Sequence, residues 1–225
     1  MPSLLIHPAD LLRSGPIALR SRSPVRTLVE LALLVVVFGF AYGAVMGTYA
    51  GPGGGPRVAQ MVFSATKVPL LLLVTFVISL PSFFVLNTLL GVRDDFAEAV
   101  RALVATQAAL TIILASLAPI TAFWYASVDG YRHAILFNAA MFGVASFAAQ
   151  FLLRRLYRPL IERNLKHRLL LRAWLVVFAF VGIQMGWVLR PFIGNPAMPT
   201  RFFREGAWGN AYVEVAIMIR EVFGG

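Results

Sequence analysis

The three histidines, His7, His133 and His167, lie far apart in the chain, and there is no cysteine. Together these facts remove thiolate metal sites, iron–sulfur clusters, disulfide scaffolds and cysteine nucleophiles. The acidic residues offer one compact group, Asp94, Asp95 and Glu98. A metal site or a catalytic carboxylate pair is one reading of it. Arg93 and Arg101 flank the group and no histidine is near it in sequence, so a solvated connector leading into an acidic first helical turn is the favoured reading. The remaining polar residues inside apolar stretches are all neutral: Asn87, Gln107, Asn138, Gln150 and Gln184. Such groups exchange hydrogen bonds between helices, whereas proton relays and ion pathways use ionisable ones. No mid-helix histidine is placed to ligate haem, and neither paired aspartates nor a Ser/His pair lies at membrane depth. No catalytic residue, cofactor or metal is therefore expected.

Composition explains where those polar residues must sit. Of 225 residues 59% are hydrophobic and 13% charged, with a formal charge of +10. A water-soluble domain carries about a quarter of its residues as charges, so an ordinary soluble enzyme and a disordered chain are both excluded. A bilayer core about 30 Å thick takes about 20 apolar residues of helix. Five windows of that kind occur, at about 28–49, 68–92, 102–126, 134–153 and 173–189. Backbone in lipid must satisfy its own hydrogen bonds, and the alternation of a β-barrel is missing. The expected fold is all-α, a polytopic transmembrane bundle of five spans in one domain.

The flanks divide accordingly. Residues 1–27 read as a basic cytoplasmic arm, mostly extended, with a short helix around Pro8 to Ser14. Residues 51–56, a Gly/Pro run, form an external turn, and residues 57–67 have a short amphipathic look before Pro69 opens the second span. Pro81 and Pro119 bend their spans. Residues 190–225 form an outer interfacial tail ending in an amphipathic helix at 210–223, which is too short to span.

Basic residues orient the bundle. Arg13, Arg20, Arg22 and Arg26 precede the first span, Arg93 and Arg101 lie in the second connection, and Arg154, Arg155, Arg158, Arg163, Lys166, Arg168 and Arg172 lie in the fourth. The other side, with Arg57, Lys67, Arg132 and the tail arginines, is poorer. The N-terminus is predicted inside and the C-terminus outside a bacterial inner membrane. A cleaved signal peptide is the competing reading of the first span. The long proline-containing segment before it and the length of its apolar run argue against that reading.

Small residues mark packing faces. Gly39, Gly43 and Gly47 recur every four residues, as do Gly182 and Gly186. Ala139, Gly143, Ser146 and Gln150 form a third stripe, and Gln107, Thr111, Ala115 and Ala118 a fourth. Close backbone approach over small side chains drives helix association in lipid. These stripes are expected as interior seams, or as contact faces for self-association or for other membrane subunits. The 154–172 segment reads as an amphipathic helix pair broken near Pro159, lying on anionic headgroups. Charge beside membrane spans already has a cause, so nucleic acid is not an expected partner.

The second span, with Pro69-Leu-Leu-Leu-Leu-Val-Thr-Phe and Ser79-Leu-Pro-Ser-Phe-Phe-Val-Leu-Asn87, followed by a short polar connector and a Pro-containing third span, resembles the five-span Yip (Rab-interacting) membrane proteins and their bacterial relatives. The segment Phe180-Val-Gly-Ile-Gln-Met-Gly-Trp-Val-Leu-Arg-Pro-Phe-Ile-Gly194, continuing through Phe203-Arg-Glu-Gly-Ala-Trp-Gly-Asn210, is similar to a group of uncharacterised bacterial membrane proteins. The long cytoplasmic N-terminal domain of the Yip family has no counterpart here, and the resemblance implies no catalytic residues. The expected function is non-catalytic: organising or scaffolding a membrane protein assembly. The alternative is a small permease-type subunit with a neutral polar site near Asn87 and Gln107.

Overall fold

The computed structural model describes residues 8–14, 23–50, 57–204 and 206–213. Its helices are α1 (Pro8–Ser14), α2 (Pro24–Met46), α3 (Val58–Leu89), α4 (Phe96–Ser127), α5 (Tyr131–Arg163) and α6 (Lys166–Val188), with a 3-10 turn at Arg93–Asp95 before α4. The helices α2 to α6 are each long and apolar enough to cross a membrane, so the chain is an all-α, multi-pass membrane protein.

Helix limits follow local chemistry. Pro24 sits in the first turn of α2, where its missing N–H costs nothing, and Thr27 Oγ1 returns a bond to Ser23 O. Pro69 and Pro81 lie inside α3, Pro119 inside α4 and Pro159 inside α5. None of them ends its helix. The segment 57–67 is thus continuous with the second span rather than a separate element before it. The break in the basic segment falls at Asn164 and Leu165, not at Pro159. There Asn164 is extended and its Oδ1 accepts from Lys166 N, capping α6.

The helices stand in a row, α6–α3–α2–α4–α5. The first span, α2, packs on both α3 and α4, α5 lies on α4, and α6 lies on α3. Contact between α5 and α6 is slight, as it is between α3 and α4. Two core clusters follow. At the end holding the Asn164 connection, Leu31, Val35, Phe76, Phe83, Leu103, Leu156 and Leu170 join all five spans. Here Trp174 of α6 is wedged edge-on against Phe76 and Phe83 of α3, at 5.3 and 5.0 Å between ring centroids. At the opposite end Tyr42, Met46, Val68, Leu114, Ala134 and Ala145 cluster with Ile193 of the tail, and α6 contributes nothing. Segment 190–204 occupies the space that α6 leaves.

Candidate functional site

The α2–α3 seam is built by the first glycine stripe. A methyl group added to Gly43 would stand 2.4 Å from Ser64 O, and one added to Gly47 would stand 2.6 Å from Met61 Cα; at Gly39 it would meet Pro69 Cβ at 3.3 Å. Backbone meets backbone along this line. Gly182 faces only the Thr75 side chain, and Gly143 and Gly186 face open space. Ala139 and Gly143 are exposed and Ser146 is half-buried. The fourth-span stripe is therefore not an interior seam of this chain, because α5 turns Asn138, Ala145 and Ala149 inward instead. On α4, Gln107 and Thr111 are buried beside Ala105, Ala108 and Ala109, with Leu103, Val104, Ile112 and Leu114.

The basic end is a clamp. Arg163 Nη1 reaches Asp95 Oδ1 at 2.9 Å and its Nη2 reaches Glu98 Oε2 at 2.6 Å. His167, fully buried, meets Asp95 Oδ2 through Nε2 at 3.0 Å, and Lys166 Nζ donates to Leu90 O. The acidic group thus ties the α5–α6 connection to the α3–α4 connection. No histidine is near this group in sequence, and folding brings His167 to it from 72 residues away. Arg158 pairs with Glu162 along α5, and Arg154, Arg155, Arg158, Arg168 and Arg172 all lie exposed on this end.

The opposite end holds the polar machinery that sequence reading missed. Lys67, taken as a boundary residue, lies inside α3 and is fully buried. Its Nζ donates to Pro191 O at 2.7 Å and sits 4.8 Å from the centre of the Phe202 ring. One and two turns earlier, Ser64 Oγ and Gln60 Nε2 both donate to Phe192 O. Arg57 closes the row with bonds to Gly194 O, Met198 O and Thr200 Oγ1. Three side chains on one face of α3, with Arg57 at its N-cap, thereby hold the tail strap, all but one of their bonds to it going to its carbonyls. A signal was present: positions 57, 60, 64 and 67 repeat at helical spacing.

Beside the strap, Asn138 of α5 accepts from Tyr42 OH at 3.0 Å and donates to Tyr125 OH at 2.5 Å, joining α5 to α2 and α4. Gln184 of α6 grips the chain beyond the strap, donating to Gly209 O and accepting from Ala211 N. Tyr212 stacks on Phe180 at 4.2 Å. Through Tyr212 the tail docks on the bundle. Residues 210–213 of the expected amphipathic helix are described, with a helical turn beginning at Ala211, and the rest lies outside the described residues.

Between α3, α5 and the strap lies a cavity of about 1040 Å³. Gln60, Tyr131, Asn138, Arg190, Arg201 and Arg204 supply its polar wall, and Leu71, Ile135 and Phe142 its apolar wall. Asn87 and Gln107 do not line it. The Asn87 amide donates to Phe83 O on its own helix. Among the described residues no group of three or more His, Cys, Asp or Glu could hold a metal ion. No protein family, curated protein or solved structure matches the chain.

Proposed function

We propose that the chain is a non-catalytic subunit of a bacterial inner membrane that organises a membrane protein assembly, a Yip-like five-span scaffold. The observation that carries this is the face of α5 bearing Ala139, Gly143 and Ser146. It is made of small residues at membrane depth; Ala139 lies exposed at the edge of the cavity under the strap, Ser146 is half-buried, and Gly143 between them faces open space. Lipid chains gain little from a groove of small side chains, whereas another helix gains close backbone contact there. The occupant is a transmembrane helix of a partner subunit. The buried polar groups support a non-catalytic role, because Lys67, Ser64, Asn138 and the amide nitrogen of Gln60 hold helices and strap together.

The exposed basic end, with Arg154, Arg155, Arg158, Arg168 and Arg172, lies on the cytoplasmic side against anionic headgroups, which puts the N-terminus inside and the tail outside. The permease alternative has less support, since Asn87 and Gln107 stand away from the cavity.

The chain has no cysteine, so a single cysteine at position 139 or 143 gives a background-free crosslinking site in native membranes. A specific adduct with one membrane subunit, lost in Gly143→Leu while the fold is kept, is the expected result. A chain that stays solitary at both positions would overturn the reading.

A further inference from the structure

The cavity under the tail strap has the chemistry of a lipid site. Its length is set by two helices. Leu71 lies 11 residues beyond Gln60 on α3, and Phe142 lies 11 beyond Tyr131 on α5, so each wall runs about 16 Å along its helix from polar to apolar lining. The volume of about 1040 Å³ lies at the upper end of the roughly 300–1,000 Å³ range for small-molecule sites. Three of the described lining residues are arginines and none is acidic. Arg190 and Arg204 both pack on the Trp187 ring, at 3.1 and 5.1 Å from its centre, so one aromatic ring carries two of the three lining arginines. Arg201 and Arg204 are exposed there.

A second polar requirement sits on the wall. Gln60 is 1% exposed, and while its Nε2 holds Phe192 O and Ser64 Oγ, its Oε1 has no hydrogen-bond partner. A buried acceptor of this kind needs a donor, such as a hydroxyl group.

We propose that this cavity binds one anionic phospholipid of the tail-end leaflet. Its phosphate lies among Arg190, Arg201 and Arg204, a headgroup hydroxyl lies toward Gln60, and one hydrocarbon chain runs along Leu71, Ile135 and Phe142. The arginines supply the charge-assisted bonds that select the anion. The apolar wall distinguishes a lipid from a free phosphate ester. This site is separate from the headgroup contacts of the basic end, because the two lie at opposite ends of the bundle.

The test uses the purified full-length chain in mild detergent, with three probes: a short-chain phosphatidylglycerol, the phosphatidylcholine of the same chains, and glycerol 3-phosphate alone. Native mass spectrometry and the thermal shift report binding. Phosphatidylglycerol is expected to bind at one site, at least about tenfold tighter than phosphatidylcholine. The R201A/R204A double variant, altered at two exposed positions, loses that preference while its helix content by circular dichroism stays that of the parent. I135W fills the apolar wall and blocks the lipid. R168A/R172A, at the other end, leaves binding unchanged. Equal binding of the two lipids, indifference to R201A/R204A, or loss with R168A/R172A instead would overturn the proposal. Glycerol 3-phosphate binding as tightly as the lipid would assign the site to a free phosphate ester, which also overturns it.

Discussion

His167 Nε2 stands 3.0 Å from Asp95 Oδ2 although 72 residues separate them, and the other oxygen of the same carboxylate holds Arg163. A single side chain therefore serves two helices, α5 through Arg163 and α6 through His167. The slight contact between those helices elsewhere makes this junction the place where the two ends of the row are joined.

Asp95→Ala should accordingly cost more than Glu98→Ala. The Arg163 pair is 43% exposed on the arginine side and contributes below about 1 kcal/mol. His167 is fully buried, and stripping its partner costs about 1–3 kcal/mol. Unfolding in detergent measures both variants, and equal losses would show that the histidine contact carries no weight.

The glycine stripes should separate by position. Gly43→Ala forces a methyl group to within 2.4 Å of Ser64 O and should destabilise by about 1–3 kcal/mol, as overpacking does. Gly143→Ala and Gly186→Ala enter open space, so their melting temperatures should match the parent. A Gly43 variant as stable as the parent would mean that α2 and α3 are not in backbone contact.

Lys67→Met keeps the length of the side chain and removes its donor. The Pro191 carbonyl then loses its partner, at about 1–3 kcal/mol, and the strap should loosen. Trypsin reports this as faster cleavage after Arg201 and Arg204, with the helices intact by circular dichroism. Gly194→Ala should act the same way, because its methyl group would meet Gln60 Oε1 at 2.5 Å. Unchanged cleavage in both variants would show that the α3 polar face does not hold the strap.

Asn138→Leu breaks the link from α5 to Tyr42 and Tyr125. Interhelical hydrogen bonds in membranes average about 0.6 kcal/mol each, with a maximum near 1.7, so a loss of roughly 1–2 kcal/mol is expected for the pair. Tyr42→Phe should lose about half of that. A double-mutant cycle between the two positions, read by unfolding in detergent, should give a coupling clearly different from zero.

Reading the sequence for apolar windows finds five helices because each span exceeds what a soluble core needs. The same rule misplaces Lys67, since a window is closed at the first charge even when the helix continues. The helix carries that lysine inward because a carbonyl of the strap neutralises its cost, a partner 124 residues away that no local pattern displays. His167 and Asp95 are hidden for the same reason. The Gly39, Gly43 and Gly47 seam was legible because its spacing is a property of one helix. The stripe at Gly143 was legible as a stripe, but the direction it faces depends on α4.

The row of helices also has a meaning in time. Of these five spans α2 leaves the ribosome earliest, and it is the one on which α3 and α4 both pack; α5 and α6 then add to the two flanks. Each newly synthesised helix finds its main docking surface already in the membrane, so order of translation and order of packing coincide. The strap is made after all five, when the α3 face that holds it is already in place.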